Sequence, residues 1–432
     1  MGINHETIKK YEVVANVLKA EIICIGTELL LGQIVDTNAT FLAKELADLG
    51  IDLHYKSTVG DNLGRMVEVL DRSWNRSEIL ILSGGLGPTQ DDLTREAVAK
   101  MLGEKLEFNQ EAWEQIKAYF HRMGRPITEN NQRQAMFPLS GEIIPNSVGT
   151  APGLLISKNT RYLFAVPGVP YELQNLWDSF IKPFLKQILI SEGSPVLTSK
   201  LVKMVGIGES AMEEKIIDLV EKQTNPTIAP YASRGEVSLR ITAKSQSEID
   251  NYRVINQTLE LIKERLGQYI YGYDNENLET AIGNQLKSRG WHLAIAESCT
   301  GGLMTHRITN ISGSSAYFLG GVNSYSNELK INLLGVPEST IIKHGAVSEE
   351  TAAAMANGIR KLTGSDVGVG VTGIAGPGGA TPDKPVGLIY MAIDQPGYSQ
   401  VIRRIFPFDR IGNKESAAQA GLTLVWESLI KN

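Results

Sequence analysis

The stretch KAEIICIG at residues 19–26 is an apolar strand pattern that ends in glycine. Similar strands alternate with helical patterns along the N-terminal half of the chain. Apolar strands separated by helices of this length are typical of βαβ units with a parallel sheet. The sequence therefore predicts a doubly wound α/β domain over residues 19–190. The patterns that follow the first strand are the helical DTNATFLAKELADLG (36–50), the strand IDLHYKSTVG (51–60), the helical LGRMVEVLDRSW (63–74) and the strand SEILILSGG (77–85).

The order of predicted strands and helices changes twice along the chain, and each change predicts a further domain. After the linker SEGSP (191–195), the order βαββαβ over residues 195–272 is typical of a small α+β domain. Its GIGES stretch (206–210) is either a strand-to-helix turn or a phosphate-binding loop. Beyond the turn-rich YDNENLE, alternating strands and helices over 275–432 predict a third domain of the α/β class. Residues 1–18 are predicted to form a polar N-terminal arm outside the fold.

The composition narrows the classes of function. The 432 residues are too many for one hydrophobic core, and 42% hydrophobic with 21% charged residues is ordinary for a globular protein. A net charge of −6 without a dense Lys/Arg block argues against contact with nucleic acid. Neither a membrane-length apolar run nor a signal-peptide core is found, so a cytoplasmic protein is expected. Two distant cysteines and six scattered histidines predict neither a disulfide nor a zinc site.

The densest motif of the N-terminal half is LSGGLGPTQDDLT (82–94). A strand there ends in glycines that let a ligand approach the backbone, and carboxylates follow just before a helix. Carboxylates beside a phosphate would repel it, so a divalent cation between them is the economical explanation. The alternative is a glycine turn in which one aspartate caps the helix. The residues concerned are Gly84, Gly85, Gly87, Thr89, Asp91 and Asp92.

Other polar residues are expected at the same edge of this sheet. The stretch GTELLLGQIVDTN places Glu28, Asp36 and Asn38 after the first strand, and VPGVPYEL places Glu172 after a later one. In α/β proteins the carboxyl ends of the strands form the edge that binds ligands. We therefore add these four residues to the candidate site, with Asp36 as a further oxygen ligand of the cation.

The C-terminal domain holds a second constellation. AESCTGG (296–302) is a predicted strand-to-helix turn that contains Ser298, and GGVNSYSNELK is a second such turn that ends at Lys330. The two residues are 32 apart, and a right-handed βαβ unit of that length would bring both strand ends to one edge. A serine and a lysine meeting there form a Ser–Lys dyad, in which the amine removes the hydroxyl proton. Alternatively, Ser298 caps a helix and Lys330 is a solvated surface charge.

Two neighbouring features bear on this second site. GVTGIAGPGG (370–379) is a third glycine loop after a strand, where Thr372, Gly373 and backbone N–H groups could contact substrate or an oxyanion. Cys299 would be a stronger intrinsic nucleophile than Ser298, but we expect it to pack inward as a small apolar residue. A helix N-terminus and partial burial are both expected to lower the pKa of Lys330, as a general base requires.

The motifs GGLGPTQDDLT and PGVPYEL resemble those of the competence- and damage-inducible CinA family, and the resemblance extends over residues 20–432. It implies a fold shared with the molybdopterin-binding MoaB/MogA proteins. It also implies metal-dependent hydrolysis of ADP-ribose to AMP and ribose 5-phosphate, with a divalent ion of unspecified identity. On this resemblance Asp91 and Asp92 are ligands of the metal or the pyrophosphate, and the three glycines form a cradle with Thr89.

The motifs AESCTGG, GGVNSYSNELK, HGAVSEE and TGIAGPGG resemble the PncC-type C-terminal domain of the same family. The resemblance implies a nicotinamide-nucleotide amidohydrolase, which converts nicotinamide mononucleotide (NMN) to nicotinic acid mononucleotide and ammonia without a cofactor. The matching nucleophile is Ser298, and the matching base is Lys330. The further substrate contacts that we predict beside Thr372 and Gly373 are Thr300, Gly301, Gly302, Tyr325 and Arg410.

The leading hypothesis is therefore a bifunctional enzyme of pyridine-nucleotide recycling with NMN and ADP-ribose as its substrates. One alternative makes the N-terminal domain a nucleotide- or pterin-binding sensor without turnover. Another makes the whole chain an accessory protein for DNA uptake or repair, against which the acidic charge argues. No nucleic-acid or membrane partner is expected, and the family resemblance implies a homodimer.

Overall fold

The structure is a computed structural model that describes residues 18–191 and 195–431. Apart from Leu18, the predicted arm at 1–18 lies outside the described residues, and so does most of the predicted linker at 191–195. The chain forms two compact units. One comprises the described residues up to Thr198 together with Lys244–Tyr252, and the other comprises Ser199–Ala243 together with the described residues from Arg253 onward.

The first unit contains a mixed sheet in the order β2-β1-β3-β8-β7-β6. Strand β1 pairs in parallel with β2 and β3, β3 pairs in parallel with β8, and β7 is antiparallel to both β6 and β8. Strands β4 and β5 form a separate antiparallel pair. The strands are β1 (Lys19–Ile25), β2 (Asp52–Val59), β3 (Ile79–Ser83), β4 (Leu106–Phe108), β5 (Met136–Pro138), β6 (Gly141–Ile144), β7 (Gly153–Lys158) and β8 (Arg161–Val166).

Helices cover both faces of this sheet. Along β1, Ile22 and Cys24 pack into one hydrophobic core, whereas Ile23 and Ile25 pack into another. Alternate side chains of a strand point to opposite faces, so both faces of the sheet are buried and the doubly wound prediction is confirmed. The helices are α1 (Thr27–Leu30), α2 (Thr37–Leu49), α3 (Leu63–Arg76), α4 (Thr94–Leu102), α5 (Gln110–Arg122), α6 (Pro170–Leu176) and α7 (Lys182–Ser191), with a π-helical turn at Trp177–Ile181 and a 3₁₀ turn at Glu129–Ala135.

The middle of the chain is a small sheet with helices packed against it, in the order β10-β11-β9-β12. Its core joins Met212 and Ile216 of one helix to Val202, Leu239 and Ile262. The chain order βαββαβ confirms the predicted small α+β fold, and the GIGES stretch forms the turn between the first strand and the first helix. The elements are β9 (Val196–Met204), α8 (Glu209–Glu221), β10 (Thr227–Ser233), β11 (Glu236–Ser245), α9 (Glu248–Leu266) and β12 (Ile270–Tyr273).

The C-terminal sheet has the order β14-β13-β15-β16-β17. Strand β13 is parallel to β14 and β15, and the strand pairs β15–β16 and β16–β17 are antiparallel. The predicted α/β class is confirmed. The elements are α10 (Leu278–Arg289), β13 (Leu293–Glu297), α11 (Leu303–Thr309), β14 (Phe318–Asn323), α12 (Asn327–Asn332), α13 (Glu338–His344), α14 (Glu349–Thr363), β15 (Val367–Gly373), β16 (Leu388–Gln395), β17 (Tyr398–Ile405) and α15 (Arg410–Lys431).

Strand β13 is buried on both faces, which fixes the position of the turn that follows it. Leu293 and Ile295 belong to one hydrophobic core, while Ala294 and Ala296 belong to another. The carboxyl ends of β13, β14 and β15 share one edge of the sheet because these strands are parallel. None of the described helices is both long and apolar enough to cross a membrane.

Candidate functional site

The C-terminal candidate site begins where β13 ends. Ser298 follows the last strand residue, Glu297, and its backbone N–H donates to the carbonyl oxygen of Val371 in β15 (3.0 Å). Lys330 lies in α12, the short helix that follows β14, and Ser326 caps that helix by accepting the N–H of Leu329 (3.2 Å). Two parallel neighbours thus deliver Ser298 and Lys330 to the same edge of the sheet.

The structure brings Ser298 and Lys330 together. Lys330 Nζ lies 3.1 Å from Ser298 Oγ, 2.7 Å from the carbonyl oxygen of Ser324 and 3.4 Å from that of Tyr325. Lys330 is 1% exposed and Ser298 is 8% exposed. Both carbonyl oxygens can only accept hydrogen bonds, so they take two N–H groups of the amine. In the neutral amine, the lone pair is then left for the serine hydroxyl.

The surroundings of Lys330 favour its neutral form. Burial lowers the pKa of the Lys330 ammonium below its usual range, and no carboxylate among the described residues pairs with it. The direction of the pKa shift agrees with the sequence-based expectation. Its main cause is burial. A general base must be unprotonated to accept the proton of the serine hydroxyl, and a neutral amine meets that requirement.

Glu297 is a functional candidate that was not among the residues predicted from the sequence. Its buried carboxylate accepts the backbone N–H groups of Gly302 (3.1 Å), Met304 (3.1 Å) and Thr305 (2.8 Å), together with the Thr305 hydroxyl (2.8 Å). These bonds tie the strand end to the start of α11 and so hold the shape of the turn that carries Ser298. The sequence carries a sign of this role. Helix α11 begins after Gly302, which has no side chain to cap the helix, so another polar group must accept its first N–H groups.

The remaining residues of the turn differ in their roles. Cys299 is buried, and burial raises the pKa of its thiol to about 12. Thr300 is also fully buried, and its hydroxyl has no hydrogen-bond partner among the described residues. Gly301 and Gly302 have positive φ angles of 64° and 92°, which side chains disfavour. Cys299 is therefore kept as a thiol, which is a poor nucleophile, whereas the neighbouring Ser298 lies beside a base.

The other predicted substrate contacts fall into two groups. Tyr325 and Arg410 are exposed and meet each other, since Arg410 donates to the Tyr325 hydroxyl (3.3 Å) and to the carbonyl oxygen of Gly376 (2.6 Å). Thr372 is buried and donates its hydroxyl proton to the carbonyl oxygen of Ala346 (2.6 Å). Gly373 packs against β16, where a Cβ would come within 2.6 Å of the Ile389 side chain. The hydroxyl proton of Thr372 is thus used in a hydrogen bond within the protein, and only the oxygen is left to contact a substrate.

The N-terminal candidate site lies at the carboxyl end of β3. Gly84 and Gly85 follow the strand with positive φ angles, and the loop then reaches Thr89. Thr89 Oγ1 lies 2.5 Å from both Asp91 Oδ1 and Asp92 Oδ2, and its N–H donates to Asp92 Oδ2 (2.8 Å). The hydroxyl bond from Thr89 holds the pKa of Asp91 below its usual range.

Gly87 is required by this arrangement. A Cβ at residue 87 would come within 2.4 Å of Asp92 Oδ2, so any side chain there would displace the carboxylate. Behind the loop, Arg95 is 3% exposed, and its guanidinium donates to the carbonyl oxygen of Leu86 (3.0 Å). Arg95 places a buried cation beneath the acidic loop and was not among the predicted residues.

The four further residues predicted for this site each make separate contacts within the protein. Asn38 donates to Ser83 Oγ (3.0 Å), at the end of β3, and to the carbonyl oxygen of Gly168 (2.7 Å), just beyond the end of β8. Asp36 caps α2 through the N–H of Ala39 (2.9 Å) and approaches Lys56 at 3.6 Å. Glu172 is buried and accepts from Asn146 (2.7 Å), and burial raises its pKa. Glu28 folds back toward Gly26, where a Cβ would meet its carboxylate at 2.5 Å.

The donor set of the N-terminal site fits a hard divalent cation only in part. A hydroxyl carries one proton, so one of the two short contacts from Thr89 to Asp91 and Asp92 lacks a hydrogen between its oxygens. Two carboxylates that crowd one hydroxyl fit an ion of the Mg²⁺ type, which takes one or two carboxylates together with substrate phosphates. Within residues 18–191 and 195–431, no group of three or more acidic, histidine or cysteine side chains could hold a metal.

Three family models match consecutive parts of the chain. The one described as "Probable molybdopterin binding domain" matches residues 21–187, the KH domain of damage-inducible protein CinA matches 199–272, and the CinA C-terminal domain matches 275–429. The match to residues 21–187 accords with the predicted MoaB/MogA-like fold, and the KH match describes the small α+β domain.

Relatives match over almost the whole length. A protein of Moorella thermoacetica named as a competence-damage inducible protein is 46% identical over 413 residues, which is 95% of this chain and 99% of the relative. A CinA-like protein of Kosmotoga olearia is 44% identical, over 96% of this chain and 99% of the relative. A crystal structure of a CinA protein of unknown function from Thermoplasma acidophilum is 33% identical, covering 38% of this chain and 98% of that one at a TM-score of 0.36. The chain belongs to the CinA family.

Proposed function

We propose that the C-terminal domain hydrolyses nicotinamide mononucleotide to nicotinic acid mononucleotide and ammonia. The observation that carries the proposal is the 3.1 Å contact between Lys330 Nζ and Ser298 Oγ in a buried position. A buried lysine without a carboxylate partner is costly to charge, and its neutral form is a base. Amide hydrolysis is the chemistry for which an activated serine hydroxyl is suited.

The reaction follows from these two side chains. Lys330 Nζ takes the hydroxyl proton as Ser298 Oγ bonds to the carboxamide carbon. The resulting ammonium of Lys330 returns the proton to the amide nitrogen as the C–N bond breaks, which releases ammonia and leaves an ester on Ser298. Lys330 then takes a proton from water, the water oxygen attacks the ester carbon, and Ser298 regains its proton. The two carbonyl oxygens of Ser324 and Tyr325 hold Nζ in place throughout.

We propose that the N-terminal domain hydrolyses ADP-ribose to AMP and ribose 5-phosphate with a divalent cation. Asp91 and Asp92 would hold the cation, which when bound neutralises phosphate charge. Thr89 keeps the two carboxylates close together. Arg95 offsets part of the negative charge of the loop from behind.

The alternative for the N-terminal domain is a nucleotide- or pterin-binding sensor without turnover. It is favoured by the position of Asp36, because one of its two carboxylate oxygens is already used to cap α2. Incubating the purified full chain with ADP-ribose and with NMN in separate assays, with and without Mg²⁺ or Mn²⁺, tests both proposals. AMP from ADP-ribose supports the pyrophosphatase, and ammonia from NMN supports the deamidase. Binding of ADP-ribose without AMP would favour the sensor.

Replacing Asp92 with asparagine is expected to lower metal-dependent hydrolysis of ADP-ribose by about a hundredfold or more, because one carboxylate of the converging pair is lost. Asparagine has nearly the same shape, so the close packing against Gly87 is kept. The measurement is AMP release by chromatography over a range of metal concentrations. Asp71→Asn, an exposed aspartate on α3, is the matched control. Unchanged hydrolysis by Asp92→Asn at limiting metal would contradict the assignment, and NMN deamidation serves as an internal check on folding.

A further inference from the structure

A cavity of about 680 Å³ lies within the second compact unit, and neither Ser298 nor Lys330 lines it. One side is formed by the turn before α8 (206–209) and the hairpin that joins β10 to β11 (232–237). The other side is formed by β17, the loop that follows it and α15. Its volume is within the range of small-molecule sites, and neither of the two proposed activities uses it.

The start of α8 presents backbone N–H groups to this cavity. Gly208 precedes the helix, and no side chain among the described residues caps it. The helix Glu209–Glu221 is 13 residues long, so its N-terminus carries a partial positive charge. Gly206 turns the chain into the helix with a φ angle of 77°. The GIGES stretch is therefore a strand-to-helix turn whose uncapped N–H groups can also bind an anion.

Arg404 adds a cation to the cavity. It is exposed in the edge strand β17, and its guanidinium donates to the carbonyl oxygen of Arg403 (3.0 Å). No carboxylate in the described part of the chain forms an ion pair with Arg404. Arg234, the second arginine of the cavity, is by contrast paired with Glu415. The remaining N–H groups of Arg404 can thus donate to an anion such as a phosphate.

A buried hydroxyl of the cavity lacks a partner. Ser416 of α15 lines the cavity and is 5% exposed. Its Oγ has no hydrogen-bond partner among residues 18–191 and 195–431. A buried polar group without a partner costs stability, and an acceptor oxygen brought by a ligand would remove that cost. This hydroxyl is a second observation, independent of the helix start, that points to a ligand with acceptor oxygens.

The rest of the lining is both apolar and acidic. Ile402, Phe406 and Leu424 supply apolar surface on the side of β17 and α15. Glu209 and Glu236 lie on the opposite side, and carboxylates there would disfavour a ligand that carries only negative charge. Carboxylates do accept hydrogen bonds from ribose hydroxyls, and an apolar wall suits a planar base. A nucleoside monophosphate combines a base, a diol and a phosphate, and so matches all three parts of the lining.

We propose that this cavity binds a free nucleoside monophosphate. Its phosphate contacts Arg404, Ser416 and the N–H groups at the start of α8, and its base lies against the apolar wall. The site is separate from the two proposed catalytic sites, and the proposal depends on neither activity. Binding is therefore expected even in protein whose catalytic residues have been replaced.

The first test measures affinity by calorimetry with the full-length protein, using AMP and adenosine as probes. Arg404→Gln is expected to weaken AMP binding by about tenfold, because charge-assisted hydrogen bonds to the phosphate are lost. Adenosine lacks the phosphate, so its affinity is expected to change less than about twofold. Arg403→Gln is the matched control, since it removes the same charge from an exposed neighbour that does not line the cavity. Ser416→Ala is expected to weaken AMP binding by about fivefold.

The second test locates the bound nucleotide, because AMP is also the product of the proposed N-terminal reaction. The photoreactive probe 8-azido-AMP is irradiated with the full-length protein, and labelled peptides are mapped by mass spectrometry. Label is expected within 232–237 or 400–408, and excess AMP should reduce it more than excess adenosine does. Label confined to 84–92 or 298–302 would place the nucleotide at a proposed catalytic site and overturn the proposal.

Two other results would also overturn it. Equal effects of Arg403→Gln and Arg404→Gln on AMP affinity would mean that only the general charge of the surface matters. An oligoadenylate that binds more tightly than AMP would mean that the cavity holds part of a nucleic-acid strand and not a free nucleotide. Weakening by Arg404→Gln alone, together with label in the cavity, would support the proposed site.

Discussion

Ser298→Ala is expected to lower the rate of ammonia release from NMN by about four orders of magnitude or more, because the attacking atom is removed. The remaining groups can still bind and orient the substrate, so KM is expected to change little. The variant should fold normally, since the serine hydroxyl makes no bond on which the core depends. The measurement is kcat and KM from a coupled ammonia assay, with folding checked by circular dichroism.

The matched control for this experiment is Cys299→Ala, one residue further along the same turn. Burial keeps the thiol of Cys299 protonated, so its loss is expected to leave most of kcat and to cost only packing. If Cys299→Ala were inactive and Ser298→Ala active, the protein would be a thiol enzyme and the dyad would be wrong. An electrophilic NMN analogue trapped on Ser298 and seen by mass spectrometry would add direct evidence.

Lys330→Arg is expected to reduce kcat by about 10³- to 10⁴-fold, nearly as much as Lys330→Ala. Arginine keeps the positive charge and a similar reach but stays protonated, so it cannot accept the proton of Ser298. If Lys330 only attracted the substrate phosphate, arginine would restore much of the rate and alanine would mainly raise KM. The comparison of kcat and KM in these two variants therefore separates a base from a binding cation.

The pH dependence of the wild-type reaction has a definite sign. The base acts in its neutral form, so activity should rise with pH through the pKa of Lys330 and then level off. Burial lowers that pKa from 10.5, and the rising limb should accordingly lie below this value. A rate that fell with increasing pH over the same interval would contradict the assignment of Lys330 as the base.

Lys330→Met should abolish activity and yet raise the temperature of unfolding. The pKa of this lysine is lower in the folded than in the unfolded state, so below pH 10.5 the unfolded chain takes up a proton that the folded chain resists. This linkage makes Lys330 a cost to stability at neutral pH, and methionine removes that cost with a similar volume. Differential scanning calorimetry at pH 7 measures the change, and a lowered Tm would show that the amine stabilises the fold.

Much of the C-terminal site is predictable from spacing. The apolar run before Ser298 predicts a buried strand, and the 32 residues to Lys330 predict one crossover to a parallel neighbour. Both features depend on the local pattern and on the general rules for βαβ units, which is why two distant residues could be paired in advance. Thr89, Asp91 and Asp92 are also predictable as one group, because they are close together in the sequence.

Residues that act through long-range contacts escape this reasoning. Val371, whose carbonyl oxygen accepts the N–H of Ser298 (3.0 Å), lies far along the chain from the turn, and only the pairing of β15 with β13 brings it there. Asp36 shows what local geometry adds, because its position after a strand suggested a metal ligand and the structure shows that one of its carboxylate oxygens caps α2. The sequence shows that a polar residue is at a strand end, but competing local hydrogen bonds decide which way it faces.

The two cysteines lie within hydrophobic cores, and this has a consequence for redox chemistry. Cys24 and Cys299 are both free thiols, and burial raises the pKa of each to about 12. At neutral pH almost none of either thiol is ionised, and the thiolate is the form that peroxides and alkylating reagents attack. The proposed amidase uses Ser298 as its nucleophile, and the neighbouring Cys299 is protected from oxidation. Its activity would thus persist under oxidative stress that inactivates thiol-dependent enzymes.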